Sequence, residues 1–455
     1  MKISKYHLST DILDEYDLPD KQILFSTRTG SSLLVDSHIY QNLLAGNFSS
    51  INEELIATLK DNLIIVDKNE DEFHTVVTEN DENRESVDVL SMTIQPSANC
   101  QLGCYYCAQN HTKDYASEDI IEKYIERILF FLNSGKKYKG INITWYGGEP
   151  LTGLKSIKNT TERLLKICEE RDLWYSASMV TNGLSLKGKL FQELVTQYKV
   201  RDFQITLDGL AESHDKRRYT KNNNNPTFDL IFKNIVDCTK TEAYQNKLGG
   251  ITVRINIDKT NHSFVDPLLE YFVEKGINQY IGVSFAPIVN WGGNDAGKDS
   301  LTNEDFAKKE IDWLLYCFDN KIKFSSLLPK RIHYACMVER DDSEVYDAFG
   351  NIYTCWEFPY TDNYGGDEHK IGNLNNDYST FDNNATLRNW SDVIKSGKTW
   401  CKECSHLPVC GGGCPKSWYE DTPACPEFKF NYKEKLILDY YLRESAKNEE
   451  IHISK

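Results

Sequence analysis

Short runs of β-branched and aromatic residues alternate with amphipathic stretches through the middle of this 455-residue chain. From about residue 89, VLSMTIQP, INITWYGG, SASMVTNG, DFQITLDG, ITVRINID and QYIGVSFAPI predict strands. Helical spacing separates them. Ser117 can cap EDIIEKYIERILFFL, and apolar positions recur at Leu164, Leu165 and Cys168, at Phe228, Ile231, Phe232 and Ile235, and at Leu268, Leu269 and Phe272. Six consecutive strand–helix units predict an α/β fold with a parallel sheet, either an open barrel or a doubly wound sheet, with chemistry at the C-terminal ends of the strands.

The flanks differ. ILFSTRTGSSLLV predicts a hairpin turning at Thr29-Gly30, followed by helical HIYQNLLAG and INEELIATLKDN and a strand at LIIVD. The acidic run Thr78 to Ser86 has linker composition, which predicts a boundary and a small separate unit over 1–88. The strand–helix region then spans 89–320. Beyond it, over 321–455, periodicity fades, few regular elements are expected, and seven of the thirteen cysteines fall between Cys336 and Cys425. A segment so poor in apolar pattern needs another source of stability, and metal binding supplies one.

The formal net charge of −16 argues against nucleic acid and favours small molecules or peptides as partners. The N-terminus lacks a signal-peptide core, and no apolar run approaches the roughly 18 residues of a membrane span, so a cytoplasmic protein is expected. In that compartment an odd set of thirteen cysteines points to metal or redox duty rather than disulfides.

Cys100, Cys104 and Cys107 follow the first strand of the repeat, in CQLGCYYC. Two separated CxxC knuckles would suit structural zinc, and this triple does not match them. With Tyr106 it meets the CxxxCx-aromatic-C hallmark and so resembles the radical S-adenosylmethionine enzymes. The resemblance implies a partial (β/α)6 TIM-like barrel and a [4Fe-4S] cluster on the three thiolates, its fourth iron chelated by S-adenosylmethionine. GGEP (Gly147, Gly148, Glu149, Pro150), Thr206 in TLDG, and Arg218 in HDKRR occur in the family's order. With Tyr106, these are the implied contacts to S-adenosylmethionine.

The later cysteines run Cys336, Gly350, Cys355, then Cys401, Cys404, Cys410, Cys414 and Cys425. This pattern resembles the SPASM extension of peptide- and protein-modifying radical enzymes. By that resemblance Cys401, Cys404, Cys410 and Cys425 hold one auxiliary cluster, and Cys336, Cys355 and Cys414 the other, making three [4Fe-4S] clusters in all. Lys330 stands where some relatives have an eighth cysteine, so the fourth position of the second set is open or filled by a side chain such as His333. Cys168, Cys238 and Cys317 fit apolar helical faces and read as buried structural thiols.

About ninety residues precede the first cysteine, and they resemble the small winged helix-turn-helix domain with which peptide-modifying enzymes grip a leader peptide. Sulfatase maturases carry a catalytic Asp directly after the cysteine matching Cys355, and here Trp356 and Glu357 follow it. The resemblance therefore implies a maturase that cross-links a ribosomally made precursor peptide through a C–S or C–C bond. An external electron donor of flavodoxin or ferredoxin type would serve it. Candidate general bases are Glu357, Tyr353 and Asp208. The alternatives are sulfatase-type protein oxidation, peptide epimerisation or decarboxylation, and a non-catalytic zinc-stabilised peptide binder.

Overall fold

The computed structural model describes residues 1–453 apart from 291–293, 365–368, 377, 379–380, 382–384 and 386, with side chains described to residue 445. Near the N-terminus, β1 (Lys2–Ile3) pairs with β5 (Ile65–Val66), and β2 (His7–Ser9), β3 (Lys21–Ser26) and β4 (Ser31–Asp36) form an antiparallel sheet. Strand alternation explains how this small sheet is used. Leu24 and Val35 pack with Ile39, Leu43 and Leu59 of the helices Ser37–Ala45 and Glu53–Asp61. Ile23 and Phe25 point the other way, to Phe428 and Leu436 of the C-terminal helix Phe428–Ile453.

The supposed linker is a correction. Thr78 to Ser86 form the second half of the helix Glu72–Ser86, whose Asp71 cap accepts from the His74 N–H at 3.1 Å. Val76 and Val77 are buried, Asp81 pairs with Lys395, and Arg331 donates to Asn80 at 2.6 Å. A polar composition marks a solvated face; here distant ion pairs hold that face in a helix.

The predicted strands appear as β6 (Val89–Ile94), β7 (Gly140–Trp145), β8 (Trp174–Thr181), β9 (Val200–Thr206), β10 (Gly250–Ile257) and β11 (Gly282–Pro287). They lie side by side in sequence order, all parallel. Helices including Glu118–Leu132, Leu154–Arg171, Phe228–Thr239 and Val265–Glu274 bury their apolar stripes on this sheet in one continuous core. Ser117 caps the first of them, accepting from the Ile120 N–H at 3.3 Å. Cys168, Cys238 and Cys317 all lie in this core.

The sheet does not stop at six strands. A short β12 (Lys323–Phe324) extends it beside β11, while β13 (Ser343–Tyr346) pairs in parallel with β6, followed by antiparallel β14 (Asn351–Tyr353) and β15 (Lys370–Asn373). The cysteine-rich region is thus more regular than its sequence suggests. Arg127, buried in the helix Glu118–Leu132, explains the docking: it grips Glu344 of β13 with bonds of 3.0 and 2.6 Å and lies 4.5 Å from the Phe131 ring. Losing one partner of such a buried pair costs about 3–5 kcal/mol. Among the described residues, no helix is long and apolar enough to cross a membrane.

Candidate functional site

The loop after β6 carries Cys100, Cys104 and Cys107 over the C-terminal edge of the sheet. Backbone bonds strap it down, from the Gly103 N–H to the Tyr219 carbonyl at 2.9 Å and from the Tyr105 N–H to the Arg217 carbonyl at 3.2 Å. Tyr106 anchors its centre. Its hydroxyl donates to Asp208 Oδ2 at 2.6 Å and accepts from Arg218 Nη1 at 2.6 Å and Asn256 Nδ2 at 3.1 Å. Beneath it, the buried Arg217 guanidinium reaches both oxygens of Asp258 at 3.0 Å.

This loop roofs a cavity of about 750 Å³. Cys100, Cys104, Tyr106, Cys107, Gly147, Gly148, Glu149, Thr206 and Arg218 all line it. Pro150 does not; it opens the helical turn Pro150–Gly153. The Glu149 carboxylate turns into the protein and accepts from Leu151 N, Thr181 Oγ1 and Asn182 N at 3.0, 2.7 and 2.6 Å. It thereby joins the end of β7 to the end of β8.

Cys336, Cys355 and Cys414 line the same cavity. Cys401, Cys404, Cys410 and Cys425 instead surround a second, small cavity, and Cys410 borders both. Lys330 packs near Gly30 of the N-terminal sheet, and His333 lines a separate pocket with Arg84 and Glu339. Of the three candidate bases, Glu357 alone faces the large cavity. Asp208 is spent on Tyr106 and on the Asn256 N–H, and Tyr353 lies in a core cluster with Val338 and Phe358.

Sequence reasoning missed several groups on the walls. The Tyr146 and Trp356 rings stack at 5.2 Å, and the Tyr146 hydroxyl donates to Glu357 Oε1 at 3.2 Å. Burial pushes the Glu357 carboxyl above the usual range. Arg254 and Asn256, two apart on β10, both face the cavity. Polar residues at alternate positions of an otherwise apolar strand were the available signal.

The donor set can be tested for fit. All the cysteines are free thiols. Burial pushes Cys100 up to about 11 and Cys104 up to about 12, so each stays protonated until a metal displaces the proton. Among the described residues no three His, Cys, Asp or Glu side chains converge tightly enough to grip one metal ion. An iron–sulfur cluster spreads its thiolates over several irons, so it asks for wider spacing than a single zinc. Two further features leave room for a bound small molecule. Arg218 Nε is buried without a partner, and a Cβ on Gly148 would meet the Asn99 carbonyl oxygen at 2.6 Å. The surroundings of Cys100, Cys104 and Cys107 fit a cluster with a small molecule bound beside it.

Residues 94–279 match the radical SAM superfamily. The chain carries a radical SAM domain. Such domains bind S-adenosylmethionine and a [4Fe-4S] cluster. The chain is 25% identical over 378 residues to the cysteine-type anaerobic sulfatase-maturating enzyme of Clostridium novyi (strain NT), covering 76% of this chain and 95% of that protein. Its fold is similar to native anSMEcpe with bound AdoMet and Cp18Cys peptide, at a TM-score of 0.57 and 20% identity over 79% of this chain and 99% of that one. It is also similar to Streptococcus suis SuiB bound to the precursor peptide SuiA, at 0.50 and 16% over 94% and 98%. At these identities the structural likeness concerns the fold alone.

The glycines by the cysteine loop provide a direct test of the seat. Gly148→Ala is expected to push back the Asn99 backbone beside Cys100 and weaken S-adenosylmethionine binding by about tenfold or more, given an overpacking cost of about 1–3 kcal/mol. Equilibrium binding to the reconstituted enzyme measures this. Unchanged affinity would remove Gly148 from the seat.

Proposed function

We propose that this chain modifies a ribosomally made precursor peptide, installing an intramolecular C–S or C–C cross-link with S-adenosylmethionine and three [4Fe-4S] clusters. One observation carries the reading: a single cavity joins Cys100, Cys104 and Cys107 to Cys336, Cys355 and Cys414. In this reading the first trio holds the cluster that S-adenosylmethionine completes. Tyr106, Gly147, Gly148, Thr206 and Arg218 form the cosubstrate's seat, and Glu149 braces it from behind. Cys336, Cys355 and Cys414 hold one auxiliary cluster; Cys401, Cys404, Cys410 and Cys425 hold the other.

When bound, these groups supply a 5′-deoxyadenosyl radical able to take hydrogen from an unactivated carbon. The protein's residues orient and protect. The Tyr146–Trp356 stack walls the cavity, and Glu357, held by the Tyr146 hydroxyl, accepts the proton released as the new bond closes. An external electron donor of flavodoxin or ferredoxin type serves the clusters.

The N-terminal unit, a winged-helix-like module over 1–88, is assigned to gripping the leader. Support comes from coverage: the likeness to SuiB, solved with its precursor peptide, extends over 94% of this chain, against 79% for anSMEcpe. Sulfatase-type oxidation is the second reading, favoured by the 25% identity to a sulfatase-maturating enzyme. Trp356 directly after Cys355 weighs against it.

The intact mass and fragmentation of a precursor peptide encoded beside this gene, after anaerobic co-expression, decide between them. Oxidation of a serine to an aldehyde also removes two hydrogens, and only fragmentation distinguishes it from a cross-link. Loss of two hydrogens per site is expected. Unchanged mass with deuterium uptake from heavy water would mean epimerisation. An unmodified peptide despite S-adenosylmethionine cleavage would overturn the peptide reading in favour of a folded protein substrate.

A further inference from the structure

A lysine and a histidine stand against the four cysteines of the small cavity. Cys425 lies four residues before Lys429, in the first turn of the C-terminal helix, and Lys429 Nζ stands 3.5 Å from Cys425 Sγ. Among the described residues Lys429 has no carboxylate within ion-pair distance, so its charge is directed at sulfur and at the Trp400 ring, 5.9 Å away. His406 is buried between the rings of Phe428 and Tyr432, at 6.0 and 5.6 Å, with Nδ1 3.9 Å from Cys404 Sγ. Its Nε2 is buried without a partner, so the tautomer protonated on Nδ1 puts its proton to use. The Gly412 N–H adds a third donor, 3.4 Å from Cys410 Sγ.

Three of the four thiols thus face N–H donors, one of them a lysine. Cys336 and Cys355, on the large cavity, also accept from backbone N–H groups, of Val338 and Glu357, but the charged side chains beside them are the Glu339 and Glu357 carboxylates. Hydrogen bonds and positive charge at cluster sulfurs favour the reduced, more negative state, whereas a nearby carboxylate opposes it. The asymmetry therefore has a direction.

Resting on the reading that Cys401, Cys404, Cys410 and Cys425 hold a cluster, we propose that Lys429, aided by His406, raises the reduction potential of that cluster. It then becomes the better electron acceptor of the two auxiliary clusters. Cys410, bordering both cavities, marks the short way between the two auxiliary sites, and half-exposed Trp400 marks the outer face. Lys429 and His406 are positioning residues: they touch cysteine ligands and no substrate.

The test is an EPR-monitored redox titration of the holoenzyme. The component lost in Cys425→Ala identifies the cluster. Lys429→Met should lower its midpoint, so that at the potential where the wild type is half reduced the reduced-to-oxidised ratio falls about tenfold, equivalent to about 59 mV for one electron. Lys429→Arg should retain the wild-type value, and His406→Phe should shift it downward by less. Full iron content with an unmoved midpoint in Lys429→Met would overturn the proposal. A Cys425→Ala protein that loses neither iron nor any titrating component would instead overturn the cluster assignment beneath it.

Discussion

Replacing Cys100, Cys104 and Cys107 together by alanine is expected to abolish S-adenosylmethionine cleavage and to remove about four irons per chain, leaving the rest in place. The three thiols share one loop on the cavity wall, strapped by Gly103 and Tyr105 and anchored through Tyr106. Substitution empties the ligand set without disturbing the core under it, since none of the three belongs to the hydrophobic cluster of the sheet. Formation of 5′-deoxyadenosine under strong reductant, with iron analysis of the same sample, measures the outcome. Cleavage that survives the triple substitution would refute the assignment of this trio.

The second large effect is expected from Glu357→Gln. The amide oxygen can still accept from the Tyr146 hydroxyl, so the Tyr146–Trp356 wall should stand, but the side chain can no longer take a proton. Peptide modification should fall by about 10²–10⁴, the usual worth of a positioned general base, while uncoupled S-adenosylmethionine cleavage continues. The ratio of 5′-deoxyadenosine to modified peptide reads this directly. A variant that modifies peptide at the wild-type rate would leave Glu357 without a role in proton transfer.

Asp208 illustrates why the base could not be chosen from spacing. It ends a strand in a parallel sheet, where catalytic groups collect. Its two oxygens are nevertheless consumed by Tyr106 and the Asn256 N–H, one holding the cysteine loop and the other β10. Glu357 sits in a loop with no periodic signal and reaches the cavity only because β13 and β14 bring it there. The cysteines make the same point. Cys410 and Cys414 are close neighbours in sequence, yet Cys414 lines the large cavity alone while Cys410 borders both.

By itself the sequence determined what depends on near neighbours. Period-two and helical alternation yielded the six parallel strands and the Ser117 cap. It also supplied the candidate donors, since residue identity and spacing are read without a fold. Only the tertiary structure decided how distant pieces meet. The Arg127–Glu344 pair that seats β13 beside β6 spans 217 positions, and the Asp81–Lys395 contact that turns a linker-like run into a helix face spans 314. Such contacts are made by burial and charge between segments with no shared local pattern, and they give the cysteines a common cavity.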